Sequence, residues 1–136
     1  MTNERIAIKT AKRLVDYLAS KGIKTETDLK YRKISDTLRG SWYVDKVKQC
    51  GYTDCIHIDV ECGGFFAILN TGEIMTGQNV MINDAISNVI YELLGTPDYD
   101  AFWTLNIYAE EDWGEDALLI GSLSQIKELI EKCTKN

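Results

Sequence analysis

Cys55-Ile56-His57-Ile58-Asp59-Val60-Glu61 places an apolar residue at every second position, and Phe65-Phe66-Ala67-Ile68-Leu69 follows it across Gly63-Gly64. Successive side chains of a strand point to opposite faces, so the first run predicts a half-buried strand. Ile56, Ile58 and Val60 face inward; His57, Asp59 and Glu61 face outward. Gly63-Gly64 turns the chain into a second strand. Asn70-Thr71-Gly72 reads as a hairpin loop with glycine at the left-handed position, and residues 73–76 as the returning strand. The result is an antiparallel meander.

Helical periods flank it. Ile8, Ala11, Leu14, Val15 and Leu18 recur every three or four residues, predicting a helix over 4–20 with Asn3 as N-cap and Gly22 as stop. A second helix is expected over about 26–39, entered through Thr25 with Asp28 three residues on. It would carry Leu29 or Tyr31, Ile34 and Leu38, and end at Gly40. Residues 41–52 fit a short strand or a helical turn equally. Past the meander, Asn83 or Asp84 caps a helix whose buried stripe is Ala85, Ile86, Val89, Ile90, Leu93 and Leu94, closed by Gly95-Thr96-Pro97. Strands are expected over 102–108 and 117–120, followed by a capping box, Ser122 with Gln125, that opens a helix over 123–133 packing through Ile126, Leu129 and Ile130. The expected fold is α+β: one domain, 1–136, with a mainly antiparallel sheet of about five strands and helices packed on one face, two of them N-terminal and one C-terminal.

The composition fits this class. The chain has 136 residues, 45% hydrophobic and 26% charged, enough for a full-sized core without staples. The first residues open directly into an amphipathic pattern, and Phe65–Leu69 is the longest apolar run, far short of the roughly 20 residues that cross a bilayer. These features point to a cytoplasmic chain with no membrane role, in which Cys50, Cys55, Cys62 and Cys133 are reduced thiols.

Charge is divided along the chain. Residues 1–50 hold 12 basic and 6 acidic side chains (+6), whereas residues 51–136 hold 3 basic and 15 acidic (−12). From 49 to 126 there is no lysine or arginine among thirteen carboxylates. Such a surface attracts cationic partners and repels nucleic acid. Two acidic stretches enclose aromatic residues: Asp98-Tyr99-Asp100-Ala101-Phe102-Trp103 and Glu110-Glu111-Asp112-Trp113-Gly114-Glu115-Asp116. The candidate partner-binding residues are Asp98, Asp100, Glu110, Glu111, Asp112, Trp113, Glu115 and Asp116. There the carboxylates would steer a basic protein surface and Trp113 would anchor it. The competing reading folds Trp113 onto the sheet edge.

Other chemistries have weaker support. Cys55, His57, Asp59 and Glu61 stand two residues apart and share a strand face, which would space them roughly 6–7 Å apart for a metal. Yet there is no C-x2-C pair and only one histidine, and the same residues serve equally as a solvated strand face. No G-x-S-x-G elbow, G-x-G-x-x-G turn, Walker loop or calcium loop is present. No cofactor and no catalytic residue is therefore expected. Lys9, Lys12, Arg13, Lys30, Arg32, Lys33 and Arg39 decorate the two N-terminal helices, but the segment between those helices is too long for a helix-turn-helix. Direct nucleic-acid binding is accordingly disfavoured. The sequence points first to a non-enzymatic acidic protein-binding module, in one version an inhibitor covering a partner's nucleic-acid-binding surface. The alternatives are a metal-binding protein or metal-dependent enzyme built on the Cys55 strand face, and a self-associating structural protein.

Overall fold

The alternating run becomes β3 (Asp54–Val60) and its successor β4 (Phe65–Leu69), paired antiparallel with Ile56 opposite Ile68, His57 opposite Ala67 and Ile58 opposite Phe66. A computed structural model of the protein describes residues 2–37, 42–78, 85–96, 106–109 and 117–134. Before β3 come α1 (Asn3–Ser20), β1 (Thr25–Glu26), β2 (Arg32–Lys33), the single turn α2 (Ile34–Thr37) and α3 (Trp42–Gln49). After β4 come β5 (Ile74–Gln78), α4 (Ala85–Leu94), β6 (Asn106–Ala109), β7 (Ala117–Gly121) and α5 (Leu123–Thr134). Among the described residues the strands form one antiparallel sheet in the order β1-β3-β4-β5-β7-β6, with β2 also pairing β3. The fold is α+β.

The pleat sorts the core into two layers. Ile56, Ile58, Phe66, Ile68, Ile74 and Leu119 point to one face, where α1, α4 and α5 cover them with Leu14, Leu18, Val89, Ile90, Ile126 and Ile130. On the other face Cys55, Phe65, Ala67, Leu69, Met75 and Leu118 form a second cluster, capped by Ile34 of α2 and Val47 of α3. The expected helical layer is present, and α2 with α3 adds cover on the opposite side. Each fully buried Leu, Ile or Phe contributes about 1.5–3 kcal/mol of transfer free energy, so these two layers dominate the stability.

Local chemistry fixes the helix ends. α1 is capped by Thr2, whose Oγ1 accepts from Arg5 N at 3.3 Å, one residue before the expected Asn3. It closes in a Schellman motif: Gly22 takes φ +82°, Gly22 N donates to Ala19 O and Ile23 N to Leu18 O, both at 2.9 Å. The capping box of α5 forms as expected, with Gln125 N donating to Ser122 Oγ at 3.1 Å and Ser122 N to Gln125 Oε1 at 2.8 Å. Asn83 and Asp84, the expected caps of α4, lie outside the described residues, as do residues 102–105 of the strand expected over 102–108. A different group meets the start of α4. Thr76, 1% exposed, donates its hydroxyl to Phe65 O at 2.9 Å and accepts from Ala85 N at 3.3 Å.

The helix expected over 26–39 is not formed over 26–33; Ile34–Thr37 make the single turn α2, and Leu38 and Gly40 lie outside the described residues. Thr27 Oγ1 accepts from Leu29 N at 3.1 Å and Asp28 Oδ1 from Lys30 N at 3.0 Å, two local turns that compete with helical hydrogen bonds. Leu29 takes φ +57°, which no helix accommodates. The Thr27 hydroxyl also donates to His57 O at 2.6 Å, so the segment bulges over the middle of β3 while its ends pair as β1 and β2. Leu29 and Tyr31 still pack against the main core, the burial that their spacing had suggested for a helix. Within the ambiguous 41–52 stretch, Trp42–Gln49 are helical as α3, and residue 41 lies outside the described residues.

Because Thr76 joins strand, strand and helix through one buried hydroxyl, Thr76→Val is expected to lose about 1–3 kcal/mol by leaving Ala85 N and Phe65 O without this partner. Urea denaturation should show a lower midpoint at unchanged slope; an unmoved midpoint would show that the bridge is dispensable.

Candidate functional site

The candidate partner-binding residues Asp98, Asp100, Glu110, Glu111, Asp112, Trp113, Glu115 and Asp116 lie outside the described residues. Five other carboxylates of the lysine- and arginine-free stretch are described. Asp59, Glu61 and Glu92 are exposed and Asp54 and Glu73 half-buried. Among the described residues the ion pairs are Lys21–Glu131, Arg32–Asp28 and His57–Asp59, so none of the five meets a lysine or arginine. Glu73 is held instead by the hydroxyls of Tyr52 (2.8 Å) and Thr71 (3.0 Å). Glu61 and Glu92 share a recess of about 400 Å³ with Gly22, Ile23, Lys24 and Cys62. Burial first, and Glu92 and Glu61 after it, raise the Cys62 thiol above its ordinary pKa.

The strand-face alternative is dispersed by the fold. Cys55 is fully buried in the second core layer, and burial pushes its thiol up to about 11. The His57 ring packs on Phe65 at a tilt of 51° with ring centroids 5.0 Å apart, and its Nε2 lies 3.6 Å from Asp59 Oδ1. Glu61 lies beyond the end of β3, in the recess with Lys24, whereas His57 and Asp59 line a separate recess of about 280 Å³ with Glu26, Thr27, Asp28 and Arg32. Among the described residues no three His, Cys, Asp or Glu side chains are grouped so as to hold a metal ion. Nor does the His57 recess pair a base with an available nucleophile, because its hydroxyl, Thr27, is committed to the His57 carbonyl. Arg32 is held by Asp28 through two hydrogen bonds, at 2.6 and 3.2 Å. That arginine and a backbone donor at Lys30 lower the Asp28 carboxyl from 3.8 to about 2.

The basic residues separate as well. Arg39 is outside the described residues, and Lys30, Arg32 and Lys33 belong to the bulge and β2, so the two successive basic helices do not exist. α1 retains a basic ridge. Arg5, Lys9 and Arg13 follow one another at i,i+4 with Lys12 alongside, all exposed, and none forms an ion pair among the described residues. Like charges at this spacing repel, and a cation near a helix N-terminus opposes the macrodipole. The same row continues through Tyr17 to Lys21, where the repulsion ends. Tyr17 donates to Glu131 Oε1 at 2.7 Å, Lys21 Nζ pairs with Glu131 at 2.6 Å, and Lys127 Nζ sits 5.3 Å from the Tyr17 ring centre. This clasp between α1 and α5 was not anticipated from the sequence; the series 5, 9, 13, 17, 21 was its visible trace.

Two measurements test these assignments. A thiol reagent at neutral pH is expected to modify exposed Cys50 rapidly and Cys55 only on unfolding. Loss of the fast phase in Cys50→Ser would confirm it; rapid native-state modification of Cys55 would contradict it. Because the folded pKa of Asp28 is depressed, its contribution to stability is present above 3.8 and is lost as pH falls towards about 2. A carboxyl NMR titration should show that low midpoint, returning towards 3.8 in Arg32→Gln. No family model, curated protein or solved structure matches the chain.

Proposed function

We propose that this chain is a non-enzymatic protein-binding module whose acidic surface covers a basic surface on a partner. In its most specific form the covered surface binds nucleic acid, and the module acts as an anti-defence or immunity-type inhibitor by presenting carboxylates where phosphates would sit. The observation that carries this reading is the absence of local counter-ions. Thirteen carboxylates lie in a stretch without lysine or arginine, and the five that are described meet neither.

Dense, unneutralised carboxylate charge is unfavourable in the isolated molecule and is relieved when a partner brings lysines and arginines to it. A phosphate-binding surface is built to accept such charge, so an acidic protein competes for it and is steered to it from a distance. Trp113, set among Glu110, Glu111, Asp112, Glu115 and Asp116, adds an aromatic anchor of the kind that dominates interface energetics. Among the described residues no helix is long and apolar enough to cross a membrane. The metal-centred alternative has no comparable support, because the core encloses Cys55 and the turn carries Glu61 away from His57.

With the partner isolated by salt-gradient elution from the immobilised protein, Glu111→Lys with Asp112→Lys is expected to slow association about tenfold or more at low salt. Exposed charges contribute little to folding, so the melting temperature should hold. Trp113→Ala should raise the dissociation rate at unchanged melting temperature. An unaltered association rate in the charge-reversal variant would contradict the proposal.

A further inference from the structure

Cations outnumber carboxylates along α1, where the exposed acidic residues are Glu4 and Asp16. Arg5, Lys9, Lys12 and Arg13 form an exposed basic ridge on its N-terminal part, without an ion pair among the described residues. Beyond its C-terminal end, at Gly22, lies the recess that holds Glu61 and Glu92, with Lys24 as its cation. At 1.5 Å per residue, Arg5 and Lys9 stand roughly 20–25 Å along the axis from Gly22. That exceeds the Debye length of about 8 Å at physiological ionic strength, so ridge and recess do not neutralise one another within one molecule.

We propose that the basic ridge of α1 is a docking surface for a second copy of this chain, which receives it at the Glu61–Glu92 recess. The contact is heterologous, ridge to recess, so each docked copy leaves one ridge and one recess open and the association extends head to tail. Charge complementarity selects this occupant. A nucleic acid on the ridge would also confront a molecule of net charge −6 whose residues 51–136 carry −12. A second copy carries the same net charge, but its exposed Glu61 and Glu92, beside the single cation Lys24, give the ridge a local complement. The clasp of Lys21 by Glu131 leaves the N-terminal cations of the row as those available to a partner. This inference uses residues other than those of the proposed partner-binding segment, and stands or falls separately from it.

Sedimentation of the full chain tests it through a charge swap. At about 0.1 M salt, where the Debye length is about 10 Å, the wild-type weight-average mass should rise with concentration above 15.4 kDa, and return to it at about 1 M. Arg5→Glu with Lys9→Glu, and separately Glu61→Lys with Glu92→Lys, should each remain monomeric, while their equimolar mixture recovers association. The recess variant discriminates sharply. Replacing two carboxylates by lysines takes the net charge from −6 to −2, so association governed by overall repulsion would strengthen, whereas ridge-to-recess docking disappears. All four side chains are exposed, so melting temperatures should match wild type; if a reversal fails to fold, the corresponding glutamine variants provide the same comparison in weaker form. A wild type that stays monomeric, a recess variant that associates as well as wild type, or a mixture that stays monomeric would each overturn the proposal. So would a monomeric wild type that binds a single-stranded oligonucleotide of about 20 bases through the ridge, which would assign those cations to phosphates.

Discussion

Burial of β4 on both faces is the constraint from which the architecture follows. All five of its residues, Phe65–Leu69, are buried, and a strand without a wet face needs cover above and below as well as a neighbour on each side. β3 and β5 supply the neighbours. α1, α4 and α5 cover Phe66 and Ile68; α2 and α3 belong to the layer over Phe65, Ala67 and Leu69. The joints are correspondingly tight. A side chain at Gly63, φ +123°, would come within 2.8 Å of Asn88, and one at Gly72 within 2.9 Å of Ile6. Turns at both ends of β4 therefore close directly onto α4 and α1, and both positions favour glycine through their positive φ.

Where one face of an element meets one core, its period was legible. α1, α4, α5 and the meander followed from spacing alone, because the same apolar atoms that set the period are those removed from water. The segment 26–39 failed for a definable reason. Leu29, Tyr31 and Ile34 are inward residues in the fold, yet their spacing is shared by a helix and by a bulged strand pair. The choice between the two is made by the Thr27 hydroxyl on a carbonyl thirty residues away and by a leucine at positive φ, neither of which a local pattern contains. Cys55 misled differently. Its even spacing with His57 and Asp59 was real, but α2 and α3 cover that end of the strand and leave the other end open. Same-face residues thus differ in exposure along a single strand, a distinction that alternation does not encode.

The charges follow a different logic from the core. Exposed ion pairs contribute little to folding, and among the described residues there are few: Arg32 with Asp28 steadies the bulge, and Lys21, Tyr17 and Glu131 tie α1 to α5. Among the described residues, the clasp pairs the last cation of the basic row, Lys21, with Glu131 near the opposite end of the chain. The five described carboxylates of 49–126 form no ion pair with the cations of α1. Local propensity and core packing are satisfied without those charges, so their arrangement is free to answer to something outside the monomer.

That freedom has a direction. A surface selected only for solubility mixes both signs, because interspersed charges repel less and steer nothing. Here the carboxylate-only stretch runs through five strands, a helix and the turns between them, elements brought together by pairing rather than by adjacency in sequence. Four of the twelve cations of residues 1–50, Arg5, Lys9, Lys12 and Arg13, stand on α1, a helix whose other face is consumed by the core. The five described carboxylates of 49–126 stand on elements and turns other than α1, and none of them pairs with a lysine or arginine among the described residues. Charge of this kind is relieved by counter-ions in the free molecule and by complementary charge in a bound one, and counter-ions released on binding make the second state the more favourable at low salt. The charge pattern of this chain is thus not demanded by its fold, whose stability depends on β4 and its cover.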